Sequence, residues 1–327
     1  GVRAVGYDVL FADPSQDDPL GDQTLEAMAL GGAGRFVFGS PRLPPDYDES
    51  SRLRASQAPG AFALVPAPRV DPRVALLLPY GEAMTRYSAI ANVSRNKDGV
   101  LRDIPLRESA GDWVLPSLAL RLATTAMPQA APRTEAAVRP NWRQHSRLPH
   151  ISAADLLSGG KAVCRDATGS LPALNGRVAL VGYTASGLND AKPTPVDPVM
   201  PGVEVLAEAT EALLADSAIR TPPGWLKYVL ATLLTLLTTF AFWRGEPAPD
   251  IDSIFVAVNA ALLGAAFVGL TFFGFFFDIF VSVGFVSLVF GSCRAYAGVQ
   301  RGRAVGNGDF LREFAAAQDR WLAVARL

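Results

Sequence analysis

Gly182 and Gly187 bracket four residues in GYTASG, the G-x-x-x-x-G spacing of a loop whose backbone N–H groups wrap phosphate oxygens. Nucleotide chemistry at such a loop needs three further parts. These are a lysine for the outer phosphates, a Ser or Thr for magnesium, and a helix whose N-terminus faces the anion. Here the next two positions are Leu188 and Asn189, and Pro193, Pro195, Pro198 and Pro201 keep a helix from starting before Gly202. The nucleotide reading fails. The segment reads as a strand-end turn, with Asn189 and Asp190 expected to hold it through side-chain to backbone bonds.

An aspartyl nucleophile would need a second acid two residues away and a magnesium site. The run DVLFADP places Asp8 in mid-strand and leaves Asp13 alone. The histidines, His145 and His150, sit together in a Pro/Arg-rich connection and suit an exposed loop better than a metal pair. Cys164 and Cys293 make no zinc pattern, and both read as small hydrophobes. No cofactor or metal is expected.

The elements that would position polar groups are short apolar runs: VRAVGYDVLF (2–11), GRFVFGS (34–40), AFALVP (61–66) and GRVALVG (176–182). Between them lie helix-like stretches. DQTLEAMALGG (22–32) starts at Asp22 as cap, and LPSLALRLATT (115–125) and GVEVLAEATEALLAD (202–216) carry apolar stripes. This alternation predicts an α/β fold with a wound, mostly parallel sheet. NKDG, inside 87–109, signals a hairpin insertion. Ligands of such sheets bind beyond the carboxyl ends of the strands. That rule selects Asp13, Ser40, Tyr183 and Thr184, with Asp17, Asp18, Asn189 and Asp190 on the same loops.

Composition divides the chain. Up to residue 222 there are 22 Lys/Arg against 24 Asp/Glu, a balance that offers nothing to a nucleic-acid backbone. Beyond it, an all-α region of three apolar spans is expected over 223–296, near 224–243, 254–273 and 279–296. Trp225 and Trp243 anchor the first, and GFFFD (274–278) turns the chain before the third. Asp278 falls in that turn and reads as a surface residue, not as an acid buried in the bilayer. The arginines after the third span favour a cytoplasmic C-terminus, which with three crossings puts residues 1–222 outside. Residues 297–327 carry Phe310, Phe314, Ala317, Trp321 and Val324 at helical spacing. They read as a signalling linker, with a helix lying on the membrane as the alternative.

The ordered set GVRAVGYDVLFADPSQDD (1–18), ANVSRNKDGVLRDIPL (91–106), LPSLALRLA (115–123) and RVALVGYTASGLNDAKPTPVDPVMPGVEVLAEATEALL (177–214) resembles the second type of CHASE domain. This is an extracytoplasmic sensor of bacterial receptors, and three spans after the domain fit the same family. Members often follow PGVE with His-Ala-Asn; Leu206-Ala207-Glu208 stand there in this chain. The opening GVRAVGYDVLF reads as the inside of a strand, so an anchor and the start of the domain are expected upstream. The resemblance implies the input half of a membrane receptor that answers a small-molecule or envelope ligand. It also implies a homodimer that passes the signal to a cyclase or kinase output. A membrane-anchored, metal-dependent phosphoester hydrolase outside the cell is the alternative.

Overall fold

The computed structural model describes residues 1–57, 63–64, 70–93, 96, 98–129, 135–143, 148–157, 174–184, 190–244 and 248–324. Cys164, His145, Gly187 and Asn189 lie outside the described residues. The chain forms two compact units, Gly1–Ile219 and Arg220–Leu327.

In the first unit the chain runs β1 (Ala4–Asp8), α1 (Pro19–Gly31), β2 (Phe36–Ser40), β3 (Ala63–Leu64), α2 (Glu82–Arg86) and β4 (Ser88–Ile90). It continues through β5 (Ile104–Pro105), β6 (Arg107–Ala110), β7 (Trp113–Pro116), α3 (Leu118–Ala126), β8 (Ala137–Val138) and α4 (Ala153–Leu157). It closes with β9 (Val178–Gly182), β10 (Ala191–Lys192), β11 (Met200–Pro201) and α5 (Gly202–Leu214). Four strands form the wound sheet in the order β4-β2-β1-β9, every neighbour parallel. The α/β expectation is met.

Alternation along the strands sends side chains to two cores. Ala4, Val37 and Ala89 pack with Leu118 and Leu122 of α3 and Leu206 of α5. On the opposite face Phe38 packs with Ala29, Ala83 and Met84 of α1, α2 and their surroundings, and Tyr7 stacks on Phe38 with ring centroids 5.2 Å apart. Burial of both faces explains why these strands read as continuous apolar runs. Gly6 is needed in β1 because a Cβ there would fall 2.5 Å from Cδ1 of Leu122. Leu206 is 1 % exposed and serves this core.

Several local expectations change. The strand expected over 2–11 ends at Asp8, so Asp8 is at a strand end and not in mid-strand. Helix α1 begins at Pro19 and is capped by Asp18, whose Oδ1 accepts the Gly21 N–H at 2.9 Å. Proline at the first helical position needs no N–H partner, which moves the start upstream of Asp22. Asp22 instead accepts from the Ser15 N–H and the Tyr80 hydroxyl. The described part of 61–66, Ala63–Leu64, pairs antiparallel with β7 outside the wound sheet. The antiparallel hairpin is β6–β7, turned at Gly111, whose φ of 58° is left-handed. Of NKDG, Lys97 lies outside the described residues, and the Gly99 N–H donates to the Asn96 carbonyl at 2.8 Å. Its flanking strands pair elsewhere, β4 with β2 and β5 with β8.

The second unit holds α6 (Leu226–Arg244), α7 (Ala248–Phe273) and α8 (Phe280–Val324). All three are long and apolar enough to cross a membrane. A 460 Å³ groove on α6, lined by Leu233, Leu236, Leu237, Thr239, Phe240 and Trp243, has the apolar character of a surface that faces lipid. Gly274 (φ 60°) ends α7, and Asp278 lies in the following turn, 3.6 Å from Nζ of Lys227. At the other end of α7, Asp252 pairs with Arg294 of α8 at 2.8 Å. The third apolar helix does not stop near 296 but continues to Val324. No proline follows Pro249, and isolated glycines such as Gly298 and Gly302 weaken a helix without ending it.

Candidate ligand-binding site

In the order β4-β2-β1-β9, β1 connects to β2 on one side while its other neighbour, β9, arrives much later in the chain. Loops leaving β1 and β9 therefore diverge in opposite directions, and a crevice opens at their carboxyl ends. It has a volume of about 380 Å³. Asp8, Val9 and Leu10 line it from β1, Gly39 and Pro41 from β2, Asn92 and Val93 from beyond β4, and Tyr183 from β9. Asp190, Lys192 and Gly202 complete the wall.

Each polar group is placed by a local element. Asp8 is held by the last rung of the β1–β9 ladder, opposite Gly182. Lys192, in β10, pairs with Met200 of β11 in a two-residue antiparallel ribbon, and its Nζ lies 2.9 Å from Oδ1 of Asp190. The Asp190 carbonyl accepts the Gly202 N–H at 2.9 Å. The ribbon is closed by Thr194, whose N–H and hydroxyl both donate to the Asp197 carbonyl. Backbone pairing thus holds the proline-rich turn. The Asp190 carboxylate does not; it pairs with Lys192.

Burial pushes the Asp8 carboxyl up to about 6; the Asp190 charge adds to the rise and Lys192 opposes it. Among the described residues no group donates a hydrogen bond to that carboxylate. Asn92 is committed to structure: its Oδ1 accepts the Arg42 N–H at 2.5 Å and its Nδ2 donates to the Arg42 carbonyl at 3.0 Å. No three His, Cys, Asp or Glu side chains among the described residues converge as a metal set would.

Of the residues selected from sequence, Tyr183 and Asp190 line the crevice. Asp13 and Thr184 are exposed and lie outside its lining, and Ser40 is 1 % exposed, its neighbours Gly39 and Pro41 forming the wall instead. Asp8 and Lys192 were not selected. A lone acid in an apolar strand run was the available signal for Asp8. Lys192 stands two positions after Asp190, a spacing that extended chain places on one face, but nothing local marked that segment as a strand.

A family model for the CHASE2 domain matches residues 1–243, the first unit together with α6. The chain belongs to the CHASE2 family. CHASE2 is a sensor domain, and here it is followed by two further helices of membrane-crossing length, the make-up of a multi-pass membrane receptor. No curated protein and no solved structure matches the chain. In this CHASE2 domain the crevice combines a carboxylate to which no described residue donates, an ion pair and an apolar wall, the ingredients of a small-molecule site.

Proposed function

We propose that the chain is the extracytoplasmic input module of a membrane receptor, with the crevice at the β1–β9 switch point as its ligand site. Residues 1–222 lie outside the cell in this reading and the end of α8 is cytoplasmic, in keeping with the arginines that follow Arg294. The observation that carries the reading is the position of Asp190. Its carboxylate lines the crevice and its carbonyl binds the first residue of α5, the helix from which the chain proceeds to α6. A ligand that engages the crevice differently in two states shifts the balance between two packings of α5. The receptor acts as a homodimer and hands the shift to a cyclase or kinase output, and no catalytic step occurs in the crevice itself.

Fusion of the whole chain to a reporter kinase or cyclase tests this. Output is expected to change with extracellular composition, and Asp190→Ala is expected to shift the basal level or abolish the response. A reporter that answers neither any external condition nor the substitution overturns the reading.

A further inference from the structure

We infer that the crevice takes a small ligand bearing a primary ammonium group, seated on Asp8 with its aliphatic body along Val9, Leu10, Pro41 and Val93. This rests on the reading of the crevice as the sensor's ligand site. Charge accounting comes first. Lys192 is spent on Asp190, so among the described residues of the wall one carboxylate stays uncompensated, that of Asp8. Among the described residues nothing donates to it, and its neighbours Val9, Leu10 and Gly39 have no side-chain donor. An ammonium supplies both three donors and the missing positive charge.

Other ligand chemistries fit less well. A phosphate or carboxylate would meet Asp8, and the N-terminus of α5, the natural anion site, already faces the Asp190 carboxylate. A hard divalent cation seeks six or more oxygens. Here two carboxylates are offered with an ammonium 2.9 Å from one of them. The volume of 380 Å³ stands near the lower end of the roughly 300–1,000 Å³ found for small-molecule pockets. That size fits a small amine.

The test uses the full chain in lipid nanodiscs and four probes: butylammonium, butanol, butyrate and calcium. Calorimetric titration is expected to show butylammonium binding at least ten-fold tighter than butanol, with butyrate and calcium inactive. Asp8→Asn is expected to remove that preference, whereas Lys192→Met keeps or strengthens it by freeing Asp190. Among the described residues the other titratable groups on the crevice are Asp190, Lys192 and Tyr183, and the ends of β2 and β4 contribute none. Protons compete with the ammonium for Asp8, so affinity is expected to be flat above about pH 6 and to fall below it. Equal binding of butanol, preferential binding of butyrate or calcium, or a folded Asp8→Asn that keeps the ammonium preference overturns the inference. Should Asp8→Asn not fold, the comparison of probes on the unaltered chain decides alone. A reporter fusion that responds to another compound while no ammonium binds overturns this ligand class and leaves sensing intact. Ammonium binding beside a silent reporter upholds the ligand class and overturns the input reading.

Discussion

The Asp190 carboxylate occupies the space that a side chain on residue 202 would need: a Cβ on Gly202 would fall 2.1 Å from its Oδ2. The same two residues share a backbone hydrogen bond of 2.9 Å. The crevice wall and the start of α5 are thus in direct contact, with no room for an intervening side chain.

This contact separates two glycine substitutions. Gly202→Ala pushes against the end of an aspartate side chain that can swing aside, so its cost in stability is expected to stay below about 1 kcal/mol. The swing breaks the Lys192 pair and loosens the crevice. Gly182→Ala instead meets Cβ of Val203 at 2.7 Å, an atom fixed to the helix backbone. It is expected to cost about 1–3 kcal/mol. Thermal unfolding of the two variants checks the order.

Asp8→Asn is expected to stabilise the protein near pH 7–8 and to change little near pH 4. The folded-state pKa, about 6, lies above the unfolded value, so the folded state binds the extra proton between roughly pH 4 and 6. Stability is therefore lost as pH rises through that window. Above it, ionised Asp8 costs on the order of 3 kcal/mol at most, which the amide does not incur. Unfolding midpoints at pH 4 and pH 7.5, without added amine, test this.

Asp103 has the opposite sign. Two hydrogen bonds from Arg139, Nε to Oδ1 at 2.7 Å and Nη2 to Oδ2 at 2.8 Å, lower its pKa despite partial burial. A depressed carboxylate contributes stability above its unfolded pKa and loses it as pH falls through the folded one. Asp103→Asn is expected to cost about 1 kcal/mol at pH 7. The deficit relative to the parent should shrink as the parent is acidified below pH 4; a pH-independent deficit would contradict it.

Labelling of single cysteines tests the orientation. In a chain with Cys164 and Cys293 replaced by Ala, Asp278→Cys is expected to react with an impermeant maleimide on intact cells. Arg301→Cys should react only after permeabilisation. The reverse pattern places the sensor domain on the wrong side for an external signal.

The long apolar runs were legible because burial on both faces of β1 and β2 leaves no polar alternation to misread. The apolar helices were legible from length alone. Strands of two residues such as β5, β8, β10 and β11 were not, since so short a ladder is set by the packing around it and not by its own residues. Part of the crevice wall escaped the sequence for a related reason. Val9 and Leu10 continue the apolar run after Asp8, yet the ladder stops there because its partner ends at Gly182. That stop turns Asp8 from a strand interior into a crevice wall and leaves Asp13 beyond reach. Lys192 depended on the segment after Asp190 being extended, which the prolines beyond it forbid as helix but do not specify as ribbon.

Helix α8 runs unbroken from Phe280 through Arg294 to Val324, a rise of about 45 Å past Arg294. A continuous rod conserves angular phase: whatever turns its membrane end turns its far end through the same angle. Anything attached beyond Val324 takes its azimuth from the helix. Inserting one residue after Arg303 would rotate that attachment by about 100°, whereas seven would nearly restore it. In the proposed receptor, a signal carried by this rod would be read as rotation or axial shift, and a hinge placed in the rod would erase it.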